Sequence, residues 1–169
     1  MKRIGAKRAS TLAHGAGIGG LDAGTSAQAI AEGTILGLYT FTKYKLKKND
    51  EPAKDLEILE IIEQDAGRLP ALEAGAAKGT LLSEAVSIAR GLVNEPANVV
   101  NPVKMAEVAS DVATKVGLGI TVLGREDMIE NSMGAMLAVT QGSANEPRLI
   151  IMDYRGDPEH PDNNIALVG

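Results

Sequence analysis

The stretch Ser87–Met105, SIARGLVNEPANVVNPVKM, decides how this chain is organised. Its apolar spacing predicts a helix that runs into Asn94 and must stop before Pro96, because proline cannot donate a backbone hydrogen bond and disfavours helical geometry in the residue before it. A second helix is predicted to begin at Asn101, whose side-chain oxygen suits the N-cap, with Pro102 at the first helical position. The sequence therefore predicts a joint between two bodies.

Upstream of the joint, the sequence predicts two strands separated by a helix. A short strand at Arg8–Ala13 enters the Gly-rich turn HGAGIGG, and Asp55–Glu63, DLEILEIIE, favours the second strand, although a helix is the alternative there. The polar stretch Lys45–Lys54 is predicted to connect the intervening helix to this strand. Apolar residues recur on one face of that helix at steps of three and four: Ile30, Ala31, Thr34, Ile35, Leu38 and Phe41.

Glycines interrupt both long helices predicted before the joint. Gly33 and Gly37 lie four residues apart in the first helix, and each costs about 1 kcal/mol relative to alanine, so we expect them to admit another element closely. The second helix, over residues 69–93, contains Gly75 and Gly79, which we expect to weaken its first half. Its predicted buried stripe follows helical spacing: Leu82, Ala85, Ile88, Ala89 and Leu92.

Downstream of the joint, helix and strand patterns alternate. Gly117 is expected to be the left-handed C-cap of the helix that begins at Asn101. The apolar face of that helix is predicted to be Met105, Val108, Ala109, Val112, Ala113 and Val116. Strands are predicted at Gly119–Leu123, Ala135–Thr140, Leu149–Tyr154 and Ile165–Val168, with a brief helix at Arg125–Asn131 and a polar loop at Arg155–Asn164. This order predicts the α/β fold class with a largely parallel sheet.

Composition excludes several functional classes. The 169 residues carry a net charge of -5, and the densest basic group, Lys43–Lys48, is interpreted as a solvated turn, so no nucleic-acid partner is expected. The chain has no cysteine, which excludes disulfides, thiol catalysis and cysteine-ligated zinc. No segment has the apolar run of a signal peptide or a membrane span. We therefore expect a soluble protein with no membrane partner.

The motif HGAGIGG is the strongest candidate for a ligand site. Gly15, Gly17 and Gly20 satisfy G-x-G-x-x-G between a predicted strand and a helix, where backbone N–H groups can approach a pyrophosphate. A dinucleotide fold also needs an acidic residue at the end of a second strand about 20 positions later. That position falls here inside the helix that contains Ile35 and Leu38. A tight structural turn is therefore favoured over nucleotide binding.

DPEHPD is a second candidate, for a metal site. Its carboxylates and imidazole are ligand types for hard metals, but two prolines and an irregular spacing favour a solvated turn. His14 and His160 are the only histidines and lack the i, i+4 partner of a helical zinc motif, and no G-x-S-x-G elbow occurs. QGSANEP, at Gln141–Pro147, is interpreted as a structural loop. The candidate metal ligands in DPEHPD are Asp157, Glu159, His160 and Asp162.

The last five residues, IALVG, predict a buried strand that ends at Gly169. Ligand sites of open α/β sheets lie beyond the carboxyl ends of such strands. We therefore expect the chain to stop short of a complete domain, and residue chemistry alone predicts no active site within it.

Three blocks of the sequence together resemble the leucine (cytosol) aminopeptidase family. They are EGTILGLYTFTKYK at Glu32–Lys45, ARGLVNEPANVVNP at Ala89–Pro102 and SMGAMLAVTQGSANEPRLIIMDYRG at Ser132–Gly156. Their order and spacing also match, and the likeness extends from about Ala27 to Gly169. The resemblance implies the end of a macro-like N-terminal α/β domain at 1–69, a connecting helix at 70–96, and the first part of an αβα catalytic domain with a mostly parallel sheet at 97–169.

The resemblance also implies a function for the parent protein. Members of the family are cytoplasmic hydrolases that remove N-terminal residues from peptides with two divalent metals, zinc or manganese, and usually form hexamers. In that family the strand matching IALVG runs into a K-G-x-T-F-D-x-G-G motif that holds metal ligands, and this motif is not in the sequence. No catalytic, cofactor-binding or metal residue is therefore carried over, and this fragment is predicted to be inactive. The alternative is a small module that binds a phosphate or ADP-ribose-like ligand through Gly15–Gly20.

Overall fold

The computed structural model describes residues 5–45 and 55–169. The chain divides into two compact units, Met1–Asn94 and Glu95–Gly169. Most of the predicted connection at Lys45–Lys54, and the second half of the basic group Lys43–Lys48, lie outside the described residues. No helix among the residues described has both the length and the apolar character needed to cross a bilayer.

A parallel pair of strands forms the sheet of the first unit. Strand β1, Arg8–Leu12, pairs with β2, Ile58–Ile62, in the register Arg8↔Ile58 to Leu12↔Ile62. Both predicted strands are confirmed. The carboxylate of Glu60 accepts hydrogen bonds from Arg8 Nη2 at 2.7 Å and Ser10 Oγ at 2.8 Å. Because these groups are exposed, the ion pair contributes little to stability.

Two long helices, α1 at Ala23–Leu38 and α2 at Leu69–Asn94, pack against each other in the first unit. A short 3₁₀ turn at Ala66–Arg68 precedes α2. The close approach occurs at Gly75 and Gly79 and not, as predicted, at Gly33 and Gly37. A Cβ atom on Gly75 would overlap the carbonyl group of Gly24, whereas no described residue lies within 4 Å of the Cβ position of Gly33 or Gly37.

The predicted buried stripe of α2 is wrong. The residues that α2 buries are Leu72, Gly75, Gly79 and Ser83. Leu82, Ala85, Ile88 and Ala89 are exposed and Leu92 is half-buried. The sequence prediction chose the exposed group because its residues are apolar. The buried group faces α1 instead, because its small residues let the two helix backbones approach each other.

The joint follows the sequence prediction closely. After α2 ends, the backbone N–H groups of Val99 and Val100 donate to the carbonyl of Pro96 at 2.9 and 3.1 Å. Helix α3, Pro102–Val116, begins at the predicted N-cap Asn101, and Gly117 is its left-handed C-cap with φ 73°.

The apolar face predicted for α3 is only partly correct. Ala113 is buried, and Val108, Ala109 and Val112 are half-buried. Met105 and Val116 are exposed, because they lie at the two ends of the helix, and Ala106 is buried in addition.

The remaining elements of the second unit surround a small core. Strand β3 at Gly119–Leu123 pairs antiparallel with β4 at Leu149–Asp153, and the helices α4, Arg125–Glu130, and α5, Gly134–Thr140, lie between them in the chain. The side chain of Met128 is fully buried in this unit. The α/β class is confirmed, with parallel pairing in the first unit and antiparallel pairing in the second.

Two predicted strands of the second unit do not form. Ala135–Thr140 is helical, because Ala, Met and Leu are strong helix formers and an isolated apolar run does not distinguish a strand from a helix. Ile165–Val168 forms no strand, and its side chains Ile165, Leu167 and Val168 are almost fully exposed, since no described strand lies beside it to complete a ladder.

Candidate functional site

The Gly-rich loop between β1 and α1 closes on itself. Gly15, Gly17 and Gly20 all have positive φ, from 80° to 82°, a conformation that favours glycine. Backbone groups within the loop satisfy one another: Gly17 N–H donates to the Leu21 carbonyl at 2.8 Å, and Ile18 N–H donates to the Gly15 carbonyl at 2.9 Å. These donors are turned inward, which supports the predicted tight turn.

The N-terminus of α1 is occupied by a carboxylate of the chain itself. Asp22 is the N-cap, and it accepts the Thr25 hydroxyl at 2.6 Å and the Thr25 backbone N–H at 2.9 Å. Both hydrogen bonds lower the pKa of Asp22, and the bond from the Thr25 hydroxyl has the larger effect. A phosphate placed at this helix end would meet a negative charge where the backbone N–H groups should attract it. This geometry disfavours the alternative of a phosphate or ADP-ribose site at Gly15–Gly20.

Side chains beside the loop hold it to the rest of the first unit. The hydroxyl of the buried Ser26 donates to the His14 carbonyl at 2.6 Å, and Thr11 Oγ1 lies 2.9 Å from His14 Nε2. Both the ring and the carbonyl of His14 are therefore engaged by neighbouring side chains, which gives His14 a structural role. The described side chains around His14 form no hydrolytic arrangement of the serine, histidine and acid type.

The basic side chain of Arg68, next to the glycines, is already paired. The guanidinium of Arg68 would contact a Cβ atom on Gly17 at 3.4 Å, and it lies 3.5 Å from Glu63 Oε2 and 3.4 Å from Asp65 Oδ2. Backbone N–H groups of Asp65 and Gln64, together with Arg68, lower the pKa of Glu63. The positive charge of Arg68 is therefore already compensated by two carboxylates without an added anion.

The DPEHPD segment is an exposed turn held by its own first residue. His160 Nδ1 lies 2.9 Å from Asp157 Oδ2, and the Glu159 backbone N–H donates to Asp157 Oδ1 at 3.2 Å. Asp162 does not converge with them: within residues 5–45 and 55–169, no group of three or more His, Asp or Glu side chains could hold a metal ion.

The QGSANEP segment is a structural loop, as predicted. Ser143 Oγ accepts the Asn145 backbone N–H at 3.1 Å. Glu146 lies 3.5 Å from the Arg125 Nε, which ties the loop to α4. None of its side chains is arranged for chemistry.

A cavity of about 310 Å³ lies between α1, α2 and β2. Its wall is mostly aliphatic, and the ionisable lining residue Glu57 is paired with Lys7 at 2.8 Å. Thr34 and Thr80 also line it, and the Thr80 hydroxyl donates to the Ala76 carbonyl at 2.9 Å within α2. A second feature missed from the sequence is the fully buried Ser83 hydroxyl, which has no hydrogen-bond partner among the described residues and is out of reach of a substrate.

The chain is similar to known peptidases over most of its length. Residues 87–169 match the family model described as "Cytosol aminopeptidase family, catalytic domain". A protein named "Probable cytosol aminopeptidase" from Alkaliphilus metalliredigens is 41% identical over 142 residues, which are 84% of this chain and 28% of the relative. One with the same name from Geotalea uraniireducens is 39% identical over 170 residues, which are 100% of this chain and 33% of the relative.

Solved structures of similar proteins agree with this match. The bottromycin maturation enzyme BotP in complex with Mn superposes with a TM-score of 0.74 at 29% identity, over 91% of this chain and 31% of that one. A tomato leucine aminopeptidase mutant gives a TM-score of 0.74 at 29% identity, over 88% and 29% of the two chains. The chain spans about three-tenths of the length of the relatives that it matches.

Proposed function

This chain belongs to the cytosol aminopeptidase family, and we propose that it provides scaffold for an enzyme that removes N-terminal residues from peptides. The observation that carries this proposal is the match of residues 87–169 to the catalytic-domain model of the family. Identity of about 40% to proteins named as aminopeptidases supports it further.

We assign the parts of the chain to the domains of such an enzyme as follows. Residues 1–69 are the end of an N-terminal α/β domain, 70–96 are the connecting helix, and 97–169 are the start of the catalytic domain. The division into compact units at Asn94 and Glu95, and the start of the family match at residue 87, support this assignment.

The divalent metals of the enzyme do not fit the described residues. No three acidic or histidine side chains converge within 5–45 and 55–169, and the carboxylates of Asp22 and Glu63 are engaged in capping and ion pairing. We therefore propose that zinc or manganese ions are held by residues outside these ranges. No step of the hydrolysis is assigned to a side chain of this chain, and we expect the chain alone to be inactive.

A chimera tests the function. In the chimera, this chain replaces the matching segment of the Geotalea uraniireducens relative. The match covers 100% of this chain. With added manganese, we expect the chimera to hydrolyse a leucine anilide, as the unmodified relative does in a parallel assay. A folded chimera that is inactive beside an active relative would contradict the peptidase assignment.

The isolated chain, assayed without the rest of the enzyme, is the control for the proposed scaffold role. We expect no turnover and no manganese binding by calorimetry when the chain is assayed alone with zinc or manganese. Robust turnover by the purified chain would show that the scaffold role is wrong.

We further propose a cytoplasmic location, peptide substrates and self-association for the parent protein. The names of the relatives as cytosol aminopeptidases support the first two. Light scattering of the purified chain tests the third, and a mass that stays that of one copy at all concentrations would oppose it.

A further inference from the structure

The DPEHPD segment folds as a β-turn around the peptide bond that joins Asp157 to Pro158. The backbone N–H of His160 donates to the Asp157 carbonyl at 3.3 Å and closes the turn. Aspartate at the first position and proline at the second are residues that such turns favour. The prolines of the sequence follow Glu51, Leu69, Glu95, Asn101, Glu146, Asp157 and His160. Asp157–Pro158 is therefore the one Asp–Pro bond in the sequence.

The turn holds both the side chain and the carbonyl group of Asp157. His160 Nδ1 lies 2.9 Å from Asp157 Oδ2, and the Glu159 backbone N–H donates to Asp157 Oδ1 at 3.2 Å. The side chains of His160 and Asp157 are 68% and 61% exposed, so water reaches both. A carboxylate, an imidazole and a hydrogen-bonded carbonyl group therefore lie together at a bond that ends in a proline nitrogen.

We propose that the chain cleaves its own Asp157–Pro158 bond, with the Asp157 carboxylate as the nucleophile and His160 as the proton donor. The inference goes beyond the peptidase function proposed above, because it concerns a bond of the chain itself. It assigns a chemical role to a segment that the peptidase function leaves without one.

The cleavage is a hydrolysis in two steps. One oxygen of the Asp157 carboxylate forms a bond to the carbonyl carbon of the same residue, which closes a cyclic anhydride. The bond from that carbon to the Pro158 nitrogen breaks, and the nitrogen keeps the electron pair and takes a proton from the His160 imidazolium. Water then opens the anhydride. Asp157 is left with two carboxyl groups, Pro158 becomes a free N-terminus, and nothing is oxidised or reduced.

Each contact in the turn assists one part of this reaction. The carboxylate and the carbonyl carbon belong to one residue, and intramolecular attack of this kind has a large effective molarity. The His160 N–H bonded to the Asp157 carbonyl stabilises the negative charge that develops on that oxygen. The Pro158 nitrogen leaves as a secondary amine, which accepts a proton more readily than an amide nitrogen does, and a positioned general acid supplies that proton.

The other charged groups beside the turn do not replace His160 as the proton donor. Arg155 Nε donates to Asp153 Oδ2 at 2.8 Å, and a guanidinium group does not give up its proton in proteins. Glu159 contacts Asp157 through its backbone N–H, and Asp162 does not converge with the pair among the described residues. Histidine is the side chain that commonly takes up a proton between neutral and mildly acidic pH. Cleavage should therefore be faster in mild acid than at neutral pH.

Intact-mass spectrometry of the full chain tests the proposal. The purified chain is incubated at about pH 5, where histidines take up a proton. We expect fragments 1–157 and 158–169 to form at a rate that does not depend on chain concentration, because the attack is intramolecular. The same chain unfolded in urea is the matched control, since it keeps the Asp–Pro bond and loses the turn. The folded chain should cleave about tenfold faster or more.

Substitutions in the turn separate the roles of the two side chains. His160→Gln keeps the backbone N–H but supplies no proton, so the rate at about pH 5 should fall about tenfold or more, and the difference should shrink toward neutral pH. Asp162→Asn, which changes a charge in the same loop, should cleave as the wild type does. Asp157→Glu should leave the chain intact, because its longer side chain would have to close a larger ring. Circular dichroism checks that each variant is folded.

The results that would overturn the proposal differ from those that would overturn the peptidase assignment. Equal rates in the folded and urea-unfolded chains, or in His160→Gln and the wild type, would mean that the bond breaks without help from the turn. A chain that stays intact in mild acid would also overturn self-cleavage, and so would equal cleavage at Glu95–Pro96 or Glu146–Pro147. None of these results bears on the peptidase assignment, which the chimera tests.

Discussion

The two sides of α2 differ in the size of their residues more than in their polarity. The inner side meets α1 through Gly75, Gly79 and the buried Ser83, whereas the outer side carries Leu81, Ile88 and other exposed apolar residues. A Cβ atom on Gly79 would lie 2.5 Å from the Gln28 carbonyl oxygen, so the two backbones are nearly in contact there. Close backbone approach, rather than hydrophobicity alone, determined which side is buried in the chain.

The strongest test of this difference is Gly75→Ala. The added methyl group would overlap the backbone of Gly24, and because a helix backbone cannot rotate away as a flexible side chain can, we expect a loss of about 3 kcal/mol or more in the free energy of unfolding. Urea denaturation measures it.

Gly33→Ala is the matched control for that substitution. No described residue lies within 4 Å of the Cβ position of Gly33 in α1, so alanine should stabilise the chain by about 0.5–1 kcal/mol through helix propensity. Equal effects at the two glycines would contradict the close contact.

Leucine truncation compares the two sides directly. Leu72 is 5% exposed and Leu82 is 43% exposed in the same helix. We expect Leu72→Ala to cost about 2–3 kcal/mol, because it leaves a cavity against α1, and Leu82→Ala to cost less than about 1 kcal/mol. Thermal or urea unfolding distinguishes them, and a larger loss at Leu82 would reverse our assignment of the two sides.

A smaller effect contrasts α2, held by tertiary contact, with α3, which begins at a local cap. Asn101 Oδ1 accepts the Lys104 backbone N–H at 2.9 Å. We expect Asn101→Ala to cost about 1 kcal/mol, and Asn101→Ser, which keeps an N-cap oxygen, to unfold close to the wild type. An equal loss in both variants would mean that the side chain does not act as a cap.

The smallest effect concerns the N-cap of α1, the helix that packs on the inner side of α2. Hydrogen bonds from Thr25 lower the pKa of Asp22 in the folded chain, so the ionised carboxylate stabilises the fold. This contribution is complete above the unfolded pKa of about 3.9 and is lost as the pH falls through the lower folded value. The difference in Tm between the wild type and Asp22→Asn should therefore shrink in acid. A difference that is constant with pH would contradict this linkage.

Local signals in the sequence were reliable where the chain decides its own conformation. The end of α2 before Pro96, the N-cap at Asn101 and the left-handed Gly117 all formed as predicted, because each depends on a few neighbouring residues. The Gly-rich turn also formed, with Gly17 N–H and Ile18 N–H bonded inside the loop. Patterns that needed a neighbour were less reliable: Ala135–Thr140 became a helix, and Ile165–Val168 formed no strand.

The sequence analysis assigned no metal ligand, which stays a prediction; among the described residues, no group of ligating side chains converges on one point. Spacing alone could not have established this, since Asp157, Glu159, His160 and Asp162 are close together in the chain. In the structure, Asp157 engages its own neighbours by hydrogen bonds, and the group does not converge on one point.

The sequence by itself determined where helices start and stop, and it carried the motifs that identify the family. It could not distinguish the two glycine pairs, Gly33 with Gly37 and Gly75 with Gly79, because both have the same four-residue spacing. Only the tertiary structure decided between them, by placing α1 over one pair and leaving the other pair without a neighbour. The physical reason is that a missing side chain has consequences only where another backbone comes close enough to need the space.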